Sequence, residues 1–256
     1  MKNFCFTVDD NILFLKEITE NGYKSIFEHP YLAMYKRLHE ELGLKAQLNL
    51  FYKMEGFNLS LMSDKYYSEW EENADWLKFS FHSQFENERP YEFSDYEELY
   101  NDCKAVNEQI VRFASHKALA ETTTIHYCLA TDEGLNAMRN NNVKGLLGLY
   151  GNQKTPRTSY GIEEKYAEQI RNGEIIYKNS IAFAPIDIVL NNFSKEEILN
   201  TLCGLSHREF IWVMIHEQYF YKDYIAYQSD FEEKLRATFE FLNNQGYKSC
   251  FFENLI

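Results

Sequence analysis

The sequence predicts an α/β fold, a distorted (β/α) barrel of seven or eight mostly parallel strands, built as a single domain over residues 1–256. Short apolar runs alternate along the chain with stretches whose apolar residues recur at helical spacing. Parallel strands need long crossover connections, which helices supply, so this alternation favours helices packed outside a parallel sheet. The predicted strands are 4–8, 47–52, 77–82, 123–129, 145–149, 181–188, 210–216 and 248–252.

Helix starts are indicated by the pattern Ser-x-x-Glu, the capping box, in which the two side chains accept hydrogen bonds from each other's backbone amides. The pattern occurs at Ser68, Ser94, Ser194 and Ser229, and we predict a helix start at each. Downstream of Ser94, apolar residues recur at the spacing of one buried helix face. The irregular stretch 151–179 is predicted to form a loop or lid across one rim of the barrel.

The composition limits the partners of this protein. The net charge of −13, without any run of Lys or Arg, predicts that the chain binds no nucleic acid. The mean hydropathy is −0.49, and the apolar runs are far shorter than the roughly 20 residues of a membrane helix, so we expect no membrane partner. The chain opens with Met1-Lys2-Asn3 and continues directly into the first strand, which predicts a cytoplasmic protein. The sequence does not predict the oligomeric state.

Two adjacent carboxylates, Asp9 and Asp10, stand where the first predicted strand ends and the loop before the first helix begins. In a barrel of parallel strands, the carboxyl ends of the strands face one common pocket, and catalytic residues gather there. The pair therefore indicates a site. The other interpretation is that these residues only cap a helix that begins near Asn11, because Asp is a favoured N-cap residue.

His82 ends another predicted strand, and Glu86 follows four residues later, so one helical turn would bring both side chains to the same side. Together with Asp10 they would form a three-residue metal site with open positions for water and substrate. Such a site suits zinc or another first-row transition metal. The alternative for His82 is a hydrogen-bonded structural histidine.

His216 ends the predicted strand 210–216 and would face the same rim, where its imidazole could act as a general acid. Asp9 could poise this imidazole or act separately as the base on a metal-bound water. His126 could be a further metal ligand or a histidine of the core. The residues predicted to contact the substrate are His126, Arg157, Tyr160, Asp187 and Glu217.

Three common catalytic motifs do not occur in the sequence: a glycine-rich phosphate-binding loop, a Gly-x-Ser-x-Gly elbow and a His-Glu-x-x-His zinc motif. Their absence lowers the expectation of nucleotide binding, serine hydrolysis and the common zinc proteases. The carboxylates and imidazoles predicted at the rim favour metal-assisted hydrolysis instead.

At four places the sequence resembles the polysaccharide deacetylase (NodB-like) family of carbohydrate esterases. Phe6-Thr7-Val8-Asp9-Asp10 resembles the family's Thr-Phe-Asp-Asp opening. Phe81-His82-Ser83-Gln84-Phe85-Glu86 resembles its His-Ser/Thr-x-x-His metal motif. Val213-Met214-Ile215-His216 is similar to the late strand that carries the catalytic histidine, and 242–248 is similar to the closing helix and strand.

The resemblance implies a distorted β/α barrel, a divalent metal ion and deacetylation of a carbohydrate-like substrate. It also implies that Asp9 is the catalytic base, that Asp10 and His82 bind the metal, and that His216 is catalytic. Two places depart from the family. Glu86 stands at the position of the second metal-binding histidine, and the segment around His126 replaces an expected Arg-Pro-Pro-Tyr.

Three functions follow from these interpretations. The first is a metal-dependent deacetylase of an N- or O-acylated sugar or a similar small amide. The second is a glycosidase on the same barrel, which would use a carboxylate pair drawn from Asp9, Asp187 and Glu217. The third is a carbohydrate-binding protein whose catalytic site has decayed, in line with the two departures from the family.

Overall fold

A computed structural model gives the fold of residues 2–86, 91–151 and 157–256. The strands are β1 (Lys2–Asn11), β2 (Ala46–Phe51), β3 (Lys53–Met54), β4 (Phe57–Asn58), β5 (Leu77–Ser83), β6 (Thr122–Thr123), β7 (Gly145–Gly148), β8 (Ile176–Lys178), β9 (Ile181–Pro185), β10 (Ile188–Val189), β11 (Phe210–His216) and β12 (Tyr247–Ser249). The α-helices are α1 (Leu13–Asn21), α2 (Pro30–Leu42), α3 (Tyr67–Glu72), α4 (Tyr96–Ala114), α5 (Asp132–Asn140), α6 (Glu164–Arg171), α7 (Lys195–Leu205) and α8 (Phe231–Asn244).

Parallel strands make up a larger sheet in the order β10-β11-β1-β2-β5, and β12 pairs with the first residues of β1. A smaller sheet has the order β6-β7-β9-β8, in which β8 runs antiparallel to β9. The short strands β3 and β4 form a separate hairpin.

Two seams join the sheets into the distorted barrel that the sequence predicts. At one seam, Phe79 of β5 forms a β-bridge to Leu119, shortly before β6. At the other seam, the chain passes from β9 to β10 through Ile186 and Asp187, so one kinked strand pairs with β7 in the smaller sheet and with β11 in the larger one. Within the described residues, seven parallel strands thus surround the barrel, which confirms the predicted fold.

Aromatic side chains fill the space between the barrel and its helices. Phe239 of α8 packs against Phe4 and Phe6 of β1, with ring centroids 5.6 and 5.0 Å apart. Phe14 of α1 and Trp70 of α3 both pack against Phe79 of β5. Thr7 and Asp9, which lie an odd number of residues after these aromatics on β1, face the barrel interior, because side chains alternate along a strand. No α-helix in the described ranges has the length and apolar character needed to cross a bilayer.

Two local predictions of secondary structure are wrong. The sequence predicts a strand over residues 123–129, but β6 ends at Thr123, the first residue of that range. The chain instead forms a turn that contains Tyr127 and Cys128, which have left-handed φ angles of 62° and 57°. The stretch 151–179, predicted as a loop, contains helix α6 and strand β8. Its residues 152–156 lie outside the described ranges.

The capping pattern is confirmed at one position of four. Ser194 forms the capping box with Glu197 at the start of α7. At α4 the residue after Ser94, an aspartate, takes the N-cap position, and the same shift occurs after Ser229 at α8. Helix α3 begins one residue before Ser68, which therefore lies inside the helix. Asp is as good an N-cap as Ser, and at α4 the Asp95 side chain accepts the hydrogen bond of the Glu98 backbone N–H, whereas the Asp230 side chain makes no capping hydrogen bond at α8.

Candidate active site and metal centre

One pocket at the carboxyl ends of the barrel strands contains seven of the ten residues that the sequence predicts for the site. The pocket has a volume of about 310 Å³, and its further lining residues are Thr124, Tyr127, Cys128, Leu149, Val189, Asn192 and Met214. A larger cleft, of about 860 Å³, lies at the opposite ends of β5, β6 and β7. Two of its lysines, Lys78 and Lys144, are paired with glutamates, and the group of converging metal donors found among the described residues lies in the smaller pocket.

A β-bulge in β1 places two consecutive carboxylates in this pocket. Between Val8 and Asn11, the two residues Asp9 and Asp10 lie opposite a single residue of β2. Asp10 has a left-handed φ of 63°, an angle that Asp tolerates better than most residues. Because a bulge re-aims a side chain, Asp9 and Asp10 both line the pocket, although consecutive residues of a regular strand point to opposite faces.

A second bulge lies in β5, on the other side of β2. There β5 advances from Phe81 to Ser83 while β2 advances by one residue, from Leu50 to Phe51. The extra residue is His82. The two strands that flank β2 therefore each deliver a potential metal ligand at an irregularity of their pairing with β2.

Asp10, His82 and His126 bring three donor atoms close together. Oδ1 of Asp10 lies 3.1 Å from Nε2 of His82 and 3.4 Å from Nδ1 of His126, and the two nitrogens lie 3.1 Å apart. Bonds of about 2.0–2.1 Å to one ion would separate adjacent ligands by about 2.8–3.0 Å in octahedral geometry and about 3.3–3.4 Å in tetrahedral geometry. The donor set of two imidazoles and one carboxylate therefore fits a divalent first-row metal ion.

The predicted ligand set is corrected at one position. Glu86 lines the pocket, but it is exposed in the turn after β5, and its carboxylate does not belong to the donor group that the described residues form. His126 is in that group instead. The short turn His126–Cys128 after β6 brings its imidazole beside His82, with ring centroids 4.9 Å apart.

Neighbouring residues hold two of these ligands in place. Nδ1–H of His82 donates a 2.5 Å hydrogen bond to the carbonyl oxygen of Thr124, so Nε2 is the nitrogen that faces Asp10. Such a bond fixes the ring of a metal-binding histidine. Oδ2 of Asp10 accepts a 2.8 Å hydrogen bond from the amide of Gln218. The ring of Phe51 packs against the imidazoles of His82 and His126.

Burial and charge shift the pKa of each of the three residues. Burial raises the pKa of Asp10, but the hydrogen bond and charge of His82 outweigh it and hold that pKa well below its usual range. Burial lowers the pKa of His82, but Asp9 and Asp10 outweigh it and raise the pKa overall. Burial and the charge of His82 lower the pKa of His126 to about 4. His126 is therefore the neutral imidazole that metal binding requires.

Asp9 lies beside this group and is 2% exposed. Its Oδ1 accepts a 2.6 Å hydrogen bond from the side-chain amide of Asn49 in β2. Burial raises the pKa of Asp9, although the charges of His82 and His216 oppose the increase. A carboxylate with a raised pKa is better matched to proton transfer near neutral pH than an ordinary one.

His216, at the end of β11, is oriented by Asn191. Its Nδ1–H and its backbone N–H both donate to Oδ1 of Asn191, at 2.9 and 3.2 Å. The amide of Asn191 is fixed in turn, because its Nδ2 donates to Oδ1 of Asn192. Nε2 is thus the ring nitrogen that His216 can present to a ligand in the pocket.

The structure separates the predicted substrate contacts into two groups. His126 and Arg157 line the pocket, and Arg157 donates a 2.7 Å hydrogen bond to the carbonyl oxygen of Tyr127. Tyr160 does not line it: it is 1% exposed, and its hydroxyl donates to the carbonyl oxygen of Leu147. Its place in the stretch 151–179 predicts a side chain at the rim of the pocket, but the side chain packs into the protein core.

Asp187 and Glu217 also lie outside the pocket, so these two predictions are corrected. Asp187 lines a different cleft, where it forms a 2.5 Å ion pair with Arg208. Glu217 is fully buried, and its carboxylate accepts backbone hydrogen bonds at the start of α1. Both carboxylates stand near strand ends, but partners from distant parts of the chain hold them in structural roles.

Sequence reasoning missed three amides that contact the site: Asn49, Asn191 and Gln218. Asn49 carries a usable signal, since a polar residue in β2 interrupts a strand whose residues are all buried. A buried amide in a barrel strand must find partners inside the barrel. Asn191 and Gln218 lie in short turns after strands, and only the folded geometry shows which residues they face.

No protein-family model and no curated protein matches the sequence. Several solved structures match this chain over 99% of its length, among them the following three. A family 4 acetyl xylan esterase from Clostridium thermocellum, in complex with a cobalt ion, is 11% identical, with a TM-score of 0.54 and 90% of its chain covered. A peptidoglycan N-acetylglucosamine deacetylase is 11% identical, with a TM-score of 0.56 and 87% covered. The 4-alpha-glucanotransferase from Thermococcus litoralis is 13% identical, with a TM-score of 0.65, and this chain spans 40% of its length.

These likenesses show the fold. The chain has the distorted barrel of the carbohydrate esterase family 4 deacetylases, the family that its sequence resembles. The glucanotransferase has a similar barrel, but its name states a different reaction. Because one barrel serves several chemistries, the function has to be argued from the side chains of the pocket.

Proposed function

We propose that this protein is a metal-dependent hydrolase that removes an acyl group from the nitrogen or oxygen of a small, sugar-like substrate. The observation that carries the proposal is the convergence of Asp10, His82 and His126, with Asp9 and His216 lining the same pocket. Three donors for a Lewis-acidic ion, beside a candidate base and a candidate acid, are the parts that metal-assisted hydrolysis needs.

Asp10, His82 and His126 would hold the ion, and three protein ligands leave further positions for substrate and water. A divalent ion in such a site polarises an acyl carbonyl and lowers the pKa of water. Zinc or another first-row ion matches the donor set.

Asp9 would take the proton of the attacking water. The hydrogen bond from Asn49 holds one oxygen of its carboxylate in place. Burial raises the pKa of Asp9, and this brings the carboxylate closer to the range in which it can accept a proton and release it again.

His216 would protonate the leaving nitrogen or oxygen. Its Nδ1–H is used in the hydrogen bond to Asn191, so Nε2 would carry the transferred proton. Asp9 and His216 are register partners on the adjacent strands β1 and β11. The base and the acid would therefore act on one substrate from neighbouring strand ends.

The dimensions of the pocket favour a small substrate. Its volume of about 310 Å³ lies at the lower end of the usual range for ligand pockets, which begins near 300 Å³. Tyr127, which is 44% exposed, and Arg157 line it and offer an aromatic face and a cationic group. We propose a single acylated sugar unit as the substrate and, from the sequence, a cytoplasmic location.

Metal analysis and acetate release test the proposal. The purified protein is loaded with Zn²⁺ or Co²⁺, freed of excess metal and incubated with N-acetylated and O-acetylated monosaccharides. We expect a bound ion and acetate release that a chelator abolishes. Asp9→Asn should lower the rate by at least about 100-fold, because it removes the proton acceptor. Asp223→Asn, which changes an exposed carboxylate, is the control and should leave the rate unchanged.

The same experiment separates the alternatives. A glycosidase would keep its activity in chelator, but Asp187 and Glu217 lie outside the pocket, so the carboxylate pair that this alternative needs is not formed with Asp9. A decayed carbohydrate-binding protein would bind an acylated sugar without releasing acetate. A chain that binds no metal and releases no acetate would refute the proposed hydrolase.

A further inference from the structure

Glu217 caps the amino terminus of helix α1 from a distant part of the sequence. Its carboxylate accepts hydrogen bonds from the backbone N–H groups of Ile12, Leu13 and Phe14, at 2.6, 2.9 and 2.7 Å. The first N–H groups of a helix have no partner inside the helix, and Ile12, at the N-cap, has no side chain that could accept them. A carboxylate also suits the positive end of the helix dipole. Glu217 thus fixes the backbone that follows Asp10.

The next residue, Gln218, contacts Asp10 directly. Its Nε2 donates to Oδ2 of Asp10 at 2.8 Å, whereas Oδ1 is the oxygen that faces His82 and His126. A carboxylate can only accept, so the amide must present its N–H group there. The amide oxygen of Gln218 is buried, and none of the described residues donates a hydrogen bond to it. The contact with Asp10 therefore determines how this amide is oriented.

The strand order explains why both contacts come from one short segment. Strand β11 lies beside β1, and the turn that follows it, Glu217–Phe220, reaches the bulge of β1. Three consecutive residues therefore have three different contacts. His216 lines the pocket, Glu217 caps the start of α1, and Gln218 binds the Asp10 carboxylate.

We propose that Glu217 and Gln218 are positioning residues of the metal centre. Gln218 orients the Asp10 carboxylate so that Oδ1 is presented to the ion, and Glu217 holds the backbone beyond the left-handed Asp10. The inference rests on the proposed function, because it presupposes an ion between Asp10, His82 and His126. Without Gln218 the carboxylate gains rotational freedom that metal binding must then remove. Partners of this kind change metal affinity by about 10–100-fold.

The test replaces Gln218 with Met, which has a similar size and no N–H donor. Zn²⁺ affinity of the full chain is measured by competition with a chromophoric chelator, and Gln218→Met should weaken it by about 10–100-fold. Gln245→Met, at the exposed end of α8, is the matched control and should bind Zn²⁺ as the wild type does. The visible spectrum of the Co²⁺-saturated protein is a second readout, because a reoriented carboxylate alters the ligand field.

Glu217→Gln is the second variant. It places an amide N–H group where backbone N–H groups already point, and we expect a lower Zn²⁺ affinity and a lower denaturation midpoint. If it does not fold, Gln218→Met decides. A wild-type chain that binds no Zn²⁺ would overturn the proposed metal site. A wild-type chain that binds Zn²⁺, together with a Gln218→Met chain of equal affinity and unchanged Co²⁺ spectrum, would overturn the positioning role alone.

Discussion

Asn49 donates a 2.6 Å hydrogen bond from its side-chain amide to Oδ1 of Asp9, inside the barrel. The amide oxygen of Asn49 accepts hydrogen bonds from Gln47 and Ser80, so the amide cannot rotate without losing these partners. The hydroxyl of Ser80 also contacts that of Thr123 in β6. A buried polar network across three strands therefore determines where the candidate base stands.

Replacing Asn49 with Leu keeps the approximate size of the side chain and removes its donor and acceptor. The partners left unsatisfied in the interior should lower the free energy of unfolding by about 2–4 kcal/mol, measured by urea denaturation. The rate of acetate release should fall by about 100-fold, mainly in kcat, because Asp9 loses its fixed position. Asn244→Leu, at an exposed site of α8, serves as the control. Unchanged stability of Asn49→Leu would contradict the network.

His126 and Glu86 distinguish the ligand set of the structure from the one that the sequence predicts. His126→Ala removes one of the three converging donors and should weaken Zn²⁺ binding by at least about 100-fold, as measured by calorimetry. Glu86→Ala should change the affinity by less than about tenfold, because its carboxylate acts on the ion only at a distance. A larger loss of Zn²⁺ affinity in Glu86→Ala than in His126→Ala would show that Glu86 is the third ligand, as the sequence predicts.

Ser194 and Ser68 match the same sequence pattern, but only Ser194 caps a helix. Ser194→Ala should lower the free energy of unfolding by about 1 kcal/mol, because the backbone N–H of Glu197 loses the hydroxyl that accepts its hydrogen bond. Ser68→Ala, inside α3 and exposed, should change it by less than about 0.5 kcal/mol. Both variants are measured by thermal and urea denaturation. Equal losses of stability in Ser194→Ala and Ser68→Ala would contradict the capping role of Ser194.

Asp187 should make stability depend on pH. Burial raises its pKa from 3.8 to about 6, although the charge of Arg208 opposes the increase. Between these values the folded chain binds more protons than the unfolded chain, so the free energy of unfolding falls as the pH rises from about 4 to 6. The full contribution is at most about 3 kcal/mol.

Urea denaturation at several pH values checks this expectation with Asp187→Asn as the comparison. The variant lacks the titrating group, so its stability should vary less between pH 4 and 6 than that of the wild type. Parallel pH profiles for the two proteins would show that Asp187 does not titrate in this range.

The sequence predicts the barrel and the rim on which the site lies, because apolar runs reveal strand ends and strand ends meet at one rim. It also predicts that Asp9, Asp10, His82 and His216 lie together. It leaves open whether His126 is a metal ligand or a histidine of the core, because the left-handed turn after β6 leaves no clear mark in residue types. The spacing of Glu86 from His82 assumed a helical turn, whereas the chain forms an exposed turn there.

The roles of Asp187 and Glu217 were equally beyond prediction. Strand alternation can place a carboxylate near a rim, but it cannot show whether a distant partner holds that carboxylate inside the protein. Arg208 does so for Asp187, and the start of α1 does so for Glu217. Such pairings depend on which elements become neighbours, and this is decided by the topology of the whole barrel.

Relative to both of its neighbours, β2 is one residue short, since the bulges of β1 and β5 both face it. Inserting one residue after Asn49 would let both ladders run in regular register. The repaired sheet would gain backbone hydrogen bonds, but it would turn Asp10 toward the other face, away from His82 and His126. The length of a strand that contributes no ligand of its own thus sets whether this barrel can hold a cation at all.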